Sequence, residues 1–286
     1  MTLEKPPLIF DPTRQQSKLN RAITRIPDDP FLWRHMAIEI ADRLVDIDRQ
    51  FENVLLIGPA GQYEKDILAE RSPTVTRATF SPVEAKSENI ALVESDLLPF
   101  DAESFDLVIC LGMLECLNDL PGILVQLRRL LRPDGLFLGS IFGAGTLSTL
   151  KSVMIAAEGD SVGIHIHPQI DLKTISELVV RAGFALPVID RDDLTVRYGQ
   201  FKRLVADLRD MGLGNILSGE PRYFGKEAYL SLEREWQSRV DGDGKVSENF
   251  TFLQLLGWAP SEDQPKPARR GSAKVSLAEA LSSKVK

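Results

Sequence analysis

The sequence predicts an α/β fold, a mostly parallel sheet flanked by helices with a helical insertion late in the chain. Two observations carry the first part. Short strands alternate with amphipathic helices through residues 53–142, the pattern of a parallel sheet built from crossover units. Those strands are apolar without alternation, as strands buried on both faces must be. A third observation marks the insertion. Beyond residue 143 the rhythm breaks, and residues 200–240 read as two helices separated by turns rich in Gly and Pro.

Each element has its own signal. Residues 11–25 are polar and basic, with Arg14, Lys18, Arg21 and Arg25, and read as a helix lying on the main body. In residues 30–48, Trp33, Met36, Ile40 and Leu44 recur at near-helical spacing. Residues 53–57 form a buried strand that ends at Gly58. Gly58, Pro59, Ala60 and Gly61 make a turn, and a helix opens at Glu64 that Pro73 must follow. Residues 74–80 are β-branched and aromatic, hence a second strand. Residues 91–93 are a third, and residues 105–111 the clearest of all. Ile123, Leu124, Leu127, Leu130 and Leu131 share one helix face, with Arg128 and Arg129 outside. Turn chemistry at residues 132–135 ends that helix, and residues 136–142 are the next strand. Asp171 caps a helix that Gly183 closes. Residues 184–197 read as two strands around Asp190 and Asp193. Residues 201–211 and 226–240 are helical, and residues 250–257 are the last strand. The resulting organisation is an N-terminal helical segment (1–50), an α/β core (51–197), a helical lid (198–249), a final sheet strand (250–260) and an extended or disordered tail (261–286).

Composition limits the function. A chain of 286 residues with 43% hydrophobic residues can bury one large core. A net charge of −7 argues against nonspecific nucleic-acid binding, which needs clustered positive charge. Two cysteines, Cys110 and Cys116, make a disulfide framework unexpected and point to a reducing, cytoplasmic setting. The first residues lack an apolar signal core, and no window approaches the ~20 apolar residues of a membrane helix.

Ligands of open parallel sheets bind at the carboxyl ends of the strands. The turn at Gly58 to Gly61 is therefore the leading candidate, although such a turn is weak evidence by itself. More specific is the run from Ser95 and Asp96 through Leu97, Leu98, Pro99 and Phe100 to Ser104, Phe105 and Asp106: an acid after a short strand, then Leu-Pro-Phe, then Phe-Asp opening a strand. Asn118-Asp119-Leu120-Pro121 reads as a helix cap. His165 and His167, with Asp160 and Asp171 nearby, could be read as metal ligands, but they lack a placed third ligand, so no metal is assigned. Cys116 has no activating base in sequence. Arg203, Arg209, Arg222 and Tyr223 fall in the lid.

The run DLLPF…SFDLVICLGMLECLNDLPGILVQLRRLLRPDGLFLG resembles the centre of a class I S-adenosylmethionine (SAM) dependent methyltransferase of the type 11 group. The resemblance implies a Rossmann-like, seven-stranded sheet with SAM as cofactor. In that family the strand-one glycine loop holds the methionyl part, an acid ending strand two binds the ribose, and the acid matched by Asp96 faces the adenine amino group. Carried onto this chain, the implied cofactor-binding residues are Gly58, Pro59, Ala60, Gly61, Thr79, Phe80, Asp96, Leu97, Leu111 and Met113.

A narrower resemblance spans nearly the whole chain through Phe10-Asp11-Pro12, SIFGAGTL at residues 140–147, DLRDMG at 207–212 and the ending from Phe250. It is to a branch containing a mitochondrial assembly factor of respiratory complex I, and the chain is also similar to the malonyl-carrier methyltransferase of biotin synthesis. Methyl transfer to a small acid, a carrier-bound acyl group or a protein side chain is implied. The alternative is a hydroxylase-type or non-catalytic assembly factor whose partner is a respiratory-complex subunit. Three stretches depart from the pattern. Leu56, Ala60 and Gln62 stand where an acid and two glycines are usual. Thr79, Phe80 and Ser81 replace the ribose acid, and Glu115-Cys116 replaces a His-Trp pair. Loss of a charge-assisted bond, about 1.5–3 kcal/mol, predicts a weakened SAM site, with Glu84 and Glu94 as the carboxylates that could substitute.

Overall fold

A computed structural model describes residues 8–25, 30–68, 73–86, 90–94, 96–158, 165–220 and 225–265. The expected tail from residue 266, together with Asp160, Arg222 and Tyr223, lies outside the described residues.

Seven strands form one sheet: β1 (Asn53–Ile57), β2 (Thr74–Thr79), β3 (Ile90–Leu92), β4 (Phe105–Leu111), β5 (Leu131–Phe142), β6 (Ala185–Tyr198) and β7 (Val246–Trp258). Their order across the sheet is β3-β2-β1-β4-β5-β7-β6. The first five strands pair in parallel, while β7 runs antiparallel to β5 and β6. Residues 184–197 are therefore one long strand and not two. The acids Asp190, Asp192 and Asp193, which read as a turn, stand in an edge strand paired residue by residue with β7. Charge on an edge strand also blocks further pairing.

The central strands are apolar on both faces because both faces are covered. Every residue of β4 is buried, as is β1 from Val54. Helices α1 (Pro12–Arg25), α2 (Phe31–Val45), α3 (Glu64–Leu68), α4 (Leu120–Leu130), α5 (Ser148–Glu158) and α6 (Leu172–Arg181) surround the sheet. α7 (Phe201–Asp210) and α8 (Lys226–Gln237) form the insertion between β6 and β7. Asp119 and Asp171 cap α4 and α6, accepting the Gly122 and Thr174 N–H groups, as their sequence context predicts.

Two boundaries move for identifiable reasons. β5 starts at Leu131, because the Arg132–Gly135 turn is a bulge in the ladder against β4 and not a break before it. β7 starts at Val246, four residues before the apolar run, since Val246 to Asn249 continue the ladder with β6. Asp106, from the Phe-Asp signal, has a structural duty: its carboxylate accepts the Glu52 and Asn53 N–H groups at 2.9 and 3.0 Å and fixes the start of β1 beside β4.

Candidate functional site

Strand order reverses between β1 and β4, which places the crevice expected for a ligand at their carboxyl ends. Both strands end in glycines with left-handed backbone, Gly58 (φ 70°) and Gly112 (φ 60°). A Cβ on Gly58 would lie 2.9 Å from the Leu111 carbonyl oxygen and 2.4 Å from Met113 Cγ, so only glycine fits. Gly58, Leu111 and Met113 thus meet as one wall, and Pro59 is buried beside them. Ala60 and Gly61 continue into a short 3₁₀ turn, Gly58–Tyr63. Trp33 of α2 lies over Gly112.

At the end of β2, Thr79 is buried and its hydroxyl donates to Glu84 Oε2 at 2.5 Å. Ser81 donates to Asn20 Oδ1 at 2.6 Å, tying α1 across the same strand end. Phe80 is buried in the core. The fold therefore brings a carboxylate, Glu84, to the strand end that lacks the ribose acid.

Asp96 follows β3 with left-handed backbone (φ 57°). Its Oδ2 accepts the Asn118 and Asp119 N–H groups at 2.9 and 3.2 Å, while Gln126 grips its carbonyl and the Leu98 N–H. Among the described residues its Oδ1 has no hydrogen bond. Leu97 is 65% exposed and turns away from the core. The candidates thus occupy the adjacent ends of β1, β2, β3 and β4, with Leu97 the one directed outward.

A second feature lies under the insertion. A cavity of about 270 Å³ is walled by Phe142, Leu150, Met154, Leu208 and Phe250. Its polar lining includes Lys18, Glu115, His165, His167 and Arg209. Glu115, noted in the sequence only as a departure from the family's His-Trp pair, is a member of this lining. Both its carboxylate oxygens are buried and neither makes a hydrogen bond among the described residues. Burial pushes its carboxyl up to about 7, against a partial pull from its own backbone N–H. The available signal was a single acid in an otherwise apolar run just past β4. The two histidines do not converge with Asp171 on a metal. His165 pairs with Glu158, and His167 Nε2 accepts the Ile216 N–H at 3.2 Å with its ring edge-on to Phe10. Burial and the Lys18 charge push His167 down to about 4, so its ring is neutral at pH 7. Burial raises both thiols, Cys110 and Cys116, out of the nucleophilic range.

The N-terminal segment closes this region. Asn118 Oδ1 accepts the Ile9 and Phe10 N–H groups at 2.8 and 2.9 Å, its amide donates to Phe10 O at 3.1 Å, and Ile9 and Asp11 pair with residues 216–218 of the insertion. The Asn118→Ala variant loses all three side-chain bonds. It is expected to cost about 2 kcal/mol, with faster amide exchange at Ile9 to Arg14 and not at β4. Unchanged exchange there would show that Asn118 does not hold the segment.

Comparison with known proteins places this geometry. The chain is 30% identical to the arginine-hydroxylase NDUFAF5, mitochondrial, of Mus musculus, over 95% of this chain and 83% of that protein. The chain belongs to this family. Within it, residues 60–139 match the model of a methyltransferase domain. A malonyl-[acyl-carrier protein] O-methyltransferase of Laribacter hongkongensis is 27% identical over 88% of this chain and 90% of its own length. Among solved structures, a candidate methyltransferase of Bacillus halodurans superposes with a TM-score of 0.54 at 14% identity, covering 78% of this chain and 99% of that one. This last likeness concerns the fold alone. Family membership and sheet order agree on a Rossmann-like methyltransferase fold.

Proposed function

We propose that the chain binds SAM at the crevice between β1 and β4 and transfers a group to an acceptor held in the cavity under α5 and α7. The observation that carries this reading is the paired glycine ends, Gly58 and Gly112, at the reversal of strand order. A Cβ at Gly58 would collide with Leu111 O and Met113 Cγ, so glycine is what lets the ends of β1 and β4 pack side by side at the mouth of that crevice. The residues fit the cofactor: the Gly58 turn for the methionyl part, Glu84 beside Thr79 for the ribose, and the unbonded Oδ1 of Asp96 for the adenine amino group. SAM bound there would supply an electrophilic methyl group on a sulfonium. The chain itself positions the acceptor and excludes water, with α1, the 9–11 segment and the insertion as cover. Glu84 is already engaged by Thr79, which supports a weakened rather than a full-strength site.

The acceptor is a side chain or small molecule small enough for the cavity. The mouse relative is named an arginine-hydroxylase, which favours a side chain over a carrier-bound acid; a client in a respiratory complex is what the sequence resemblance implies. A reducing, cytoplasmic setting belongs to the same reading, supported by the two free thiols. No helix among the described residues is long and apolar enough to cross a membrane.

Calorimetric titration of SAM and its demethylated product tests the proposal. Micromolar binding is expected, weakened about tenfold, the equivalent of 1.4 kcal/mol, in Asp96→Ala and abolished in Gly58→Val. No binding at millimolar SAM would overturn it.

A further inference from the structure

The acids of the sheet edge converge on α2. Asp190 and Asp192 stand two residues apart in β6, so both side chains leave the same face of the sheet. α2 covers that face. Its His35 ring lies 4.9 Å from the ring of Phe252, the residue paired with Asp192 in the β6–β7 ladder. His35 and Glu39, at i and i+4 of the helix, are neighbours on its surface. Among the described residues, one group of three metal-ligating side chains comes together: His35, Glu39 and Asp192. One donor atom from each lies within 4.8 Å of the other two.

The charges there do not balance. His35 Nε2 bonds Asp192 Oδ2. Glu39 Oε2 accepts from Arg43 at 2.9 Å, and Arg43 reaches on to Asp190 at 3.3 Å. Oδ1 of Asp192 and Oε1 of Glu39 have no hydrogen bond among the described residues. Three carboxylates thus share one guanidinium, and two negative charges remain beside a neutral imidazole. Like charges this close disfavour one another unless a cation lies between them. The ion pairs of Arg43 go to Glu39 and Asp190, which leaves the space between Glu39 and Asp192 without one. The His35, Glu39 and Asp192 side chains are only 25–30% exposed, so solvent screens this group less than an open surface cluster.

We propose that His35, Glu39 and Asp192 bind a divalent ion of the zinc class, which clamps α2 to the edge strand β6. One imidazole nitrogen with two carboxylate oxygens is a borderline donor set. It suits Zn²⁺ better than Mg²⁺ or Ca²⁺, which take oxygen ligands. Zinc holds such donors at about 2.0–2.2 Å, so the three must draw to roughly 3.4 Å of one another. Side-chain torsions supply that movement from the present separations. The ion replaces the proton in the His35–Asp192 hydrogen bond; a neutral ring moves it to Nδ1, and a charged ring releases it to water. Water fills the remaining coordination position. Arg43 holds the Glu39 carboxylate from behind, the part that an outer partner plays at a metal centre. The ion cancels the two leftover charges and joins positions 157 residues apart in the chain. None of this depends on SAM binding.

The test uses the full chain, stripped with chelator and dialysed, titrated with zinc chloride in calorimetry and in thermal melts. One ion per chain is expected, with micromolar or tighter affinity, and a melting midpoint that climbs with zinc concentration. Millimolar Mg²⁺ should not compete. Asp192→Asn and Glu39→Gln keep the side-chain shapes and should each weaken zinc by about tenfold or more, and His35→Ala should abolish binding. Each variant is first checked for native secondary structure and cooperative melting. If His35→Ala does not fold, Asp192→Asn decides. Absence of saturable binding at millimolar zinc would overturn the proposal and leave His35 and Asp192 an ordinary ion pair. So would affinity undiminished in Asp192→Asn, displacement by millimolar Mg²⁺, or binding without any rise in the midpoint.

Discussion

Replacing Glu115 with glutamine is expected to stabilise the fold by about 3 kcal/mol at pH 8 and by less than about 1 kcal/mol at pH 5. The carboxyl is pushed from 4.5 to about 7 by burial. A raised folded-state value means that the protonated form belongs to the fold. Its stabilising preference is complete below the unfolded value and is lost as pH rises through the folded one. Wild-type stability should therefore fall between pH 4.5 and 7 and level off above. Glutamine keeps the shape and abolishes the titration. The charged groups facing the cavity do not reverse this sign. Lys18, Arg209 and the neutral His167 line the same cavity, and none is among the causes that set this carboxyl, which are burial and its own backbone N–H. Urea titrations of both proteins at pH 5, 6, 7 and 8 measure the effect, and thermal midpoints should separate by roughly 6–10 °C at pH 8. Parallel pH profiles for the two proteins would show that Glu115 is solvated.

What the sequence made legible follows from what each signal reports. β1 and β4 were readable because burial on both faces leaves a continuous apolar run, which needs no knowledge of neighbours. The caps at Asp119 and Asp171 were readable because they act within three residues of themselves. β6 was misread because acids in an edge strand imitate a turn; only pairing with β7 reveals them as a strand. α5 was not anticipated, since its N-terminus is satisfied by a glutamate about 100 residues away. Glu84 was noticed as a spare acid, yet nothing local places its carboxylate on the Thr79 hydroxyl. Asp96 was singled out through family resemblance, and its second duty on the Asn118 and Asp119 amides depends on the approach of α4. Glu115 stood in plain sight as a departure from the family's pair of residues. Its setting is visible only in the structure, where it shares the lining of one cavity with α7 and the 165–169 segment.

The distant glutamate that caps α5 carries the other large expected effect. Glu248 of β7 is fully buried, and its Oε1 accepts the Thr149 and Asn249 N–H groups at 3.0 Å each, while Oε2 accepts the Leu150 N–H at 2.7 Å. Burial raises its carboxyl and these N–H groups pull it part of the way back. The first turn of a helix has no partners of its own for such donors. Glu248→Ala leaves three N–H groups facing an apolar void and is expected to cost about 4 kcal/mol. Glu248→Gln is not conservative here, because one of its two heads becomes a donor facing donors, and about 2 kcal/mol is expected. Leu150 and Met154 of α5 wall the cavity. The alanine variant should therefore also loosen that wall, although residue 248 does not line it. Denaturant titration with amide exchange at Thr149 and Leu150 measures both effects. A cost below about 1 kcal/mol with unchanged exchange would mean that α5 holds its place by packing alone, through Leu150 and Val153 against the core and its contacts with α8.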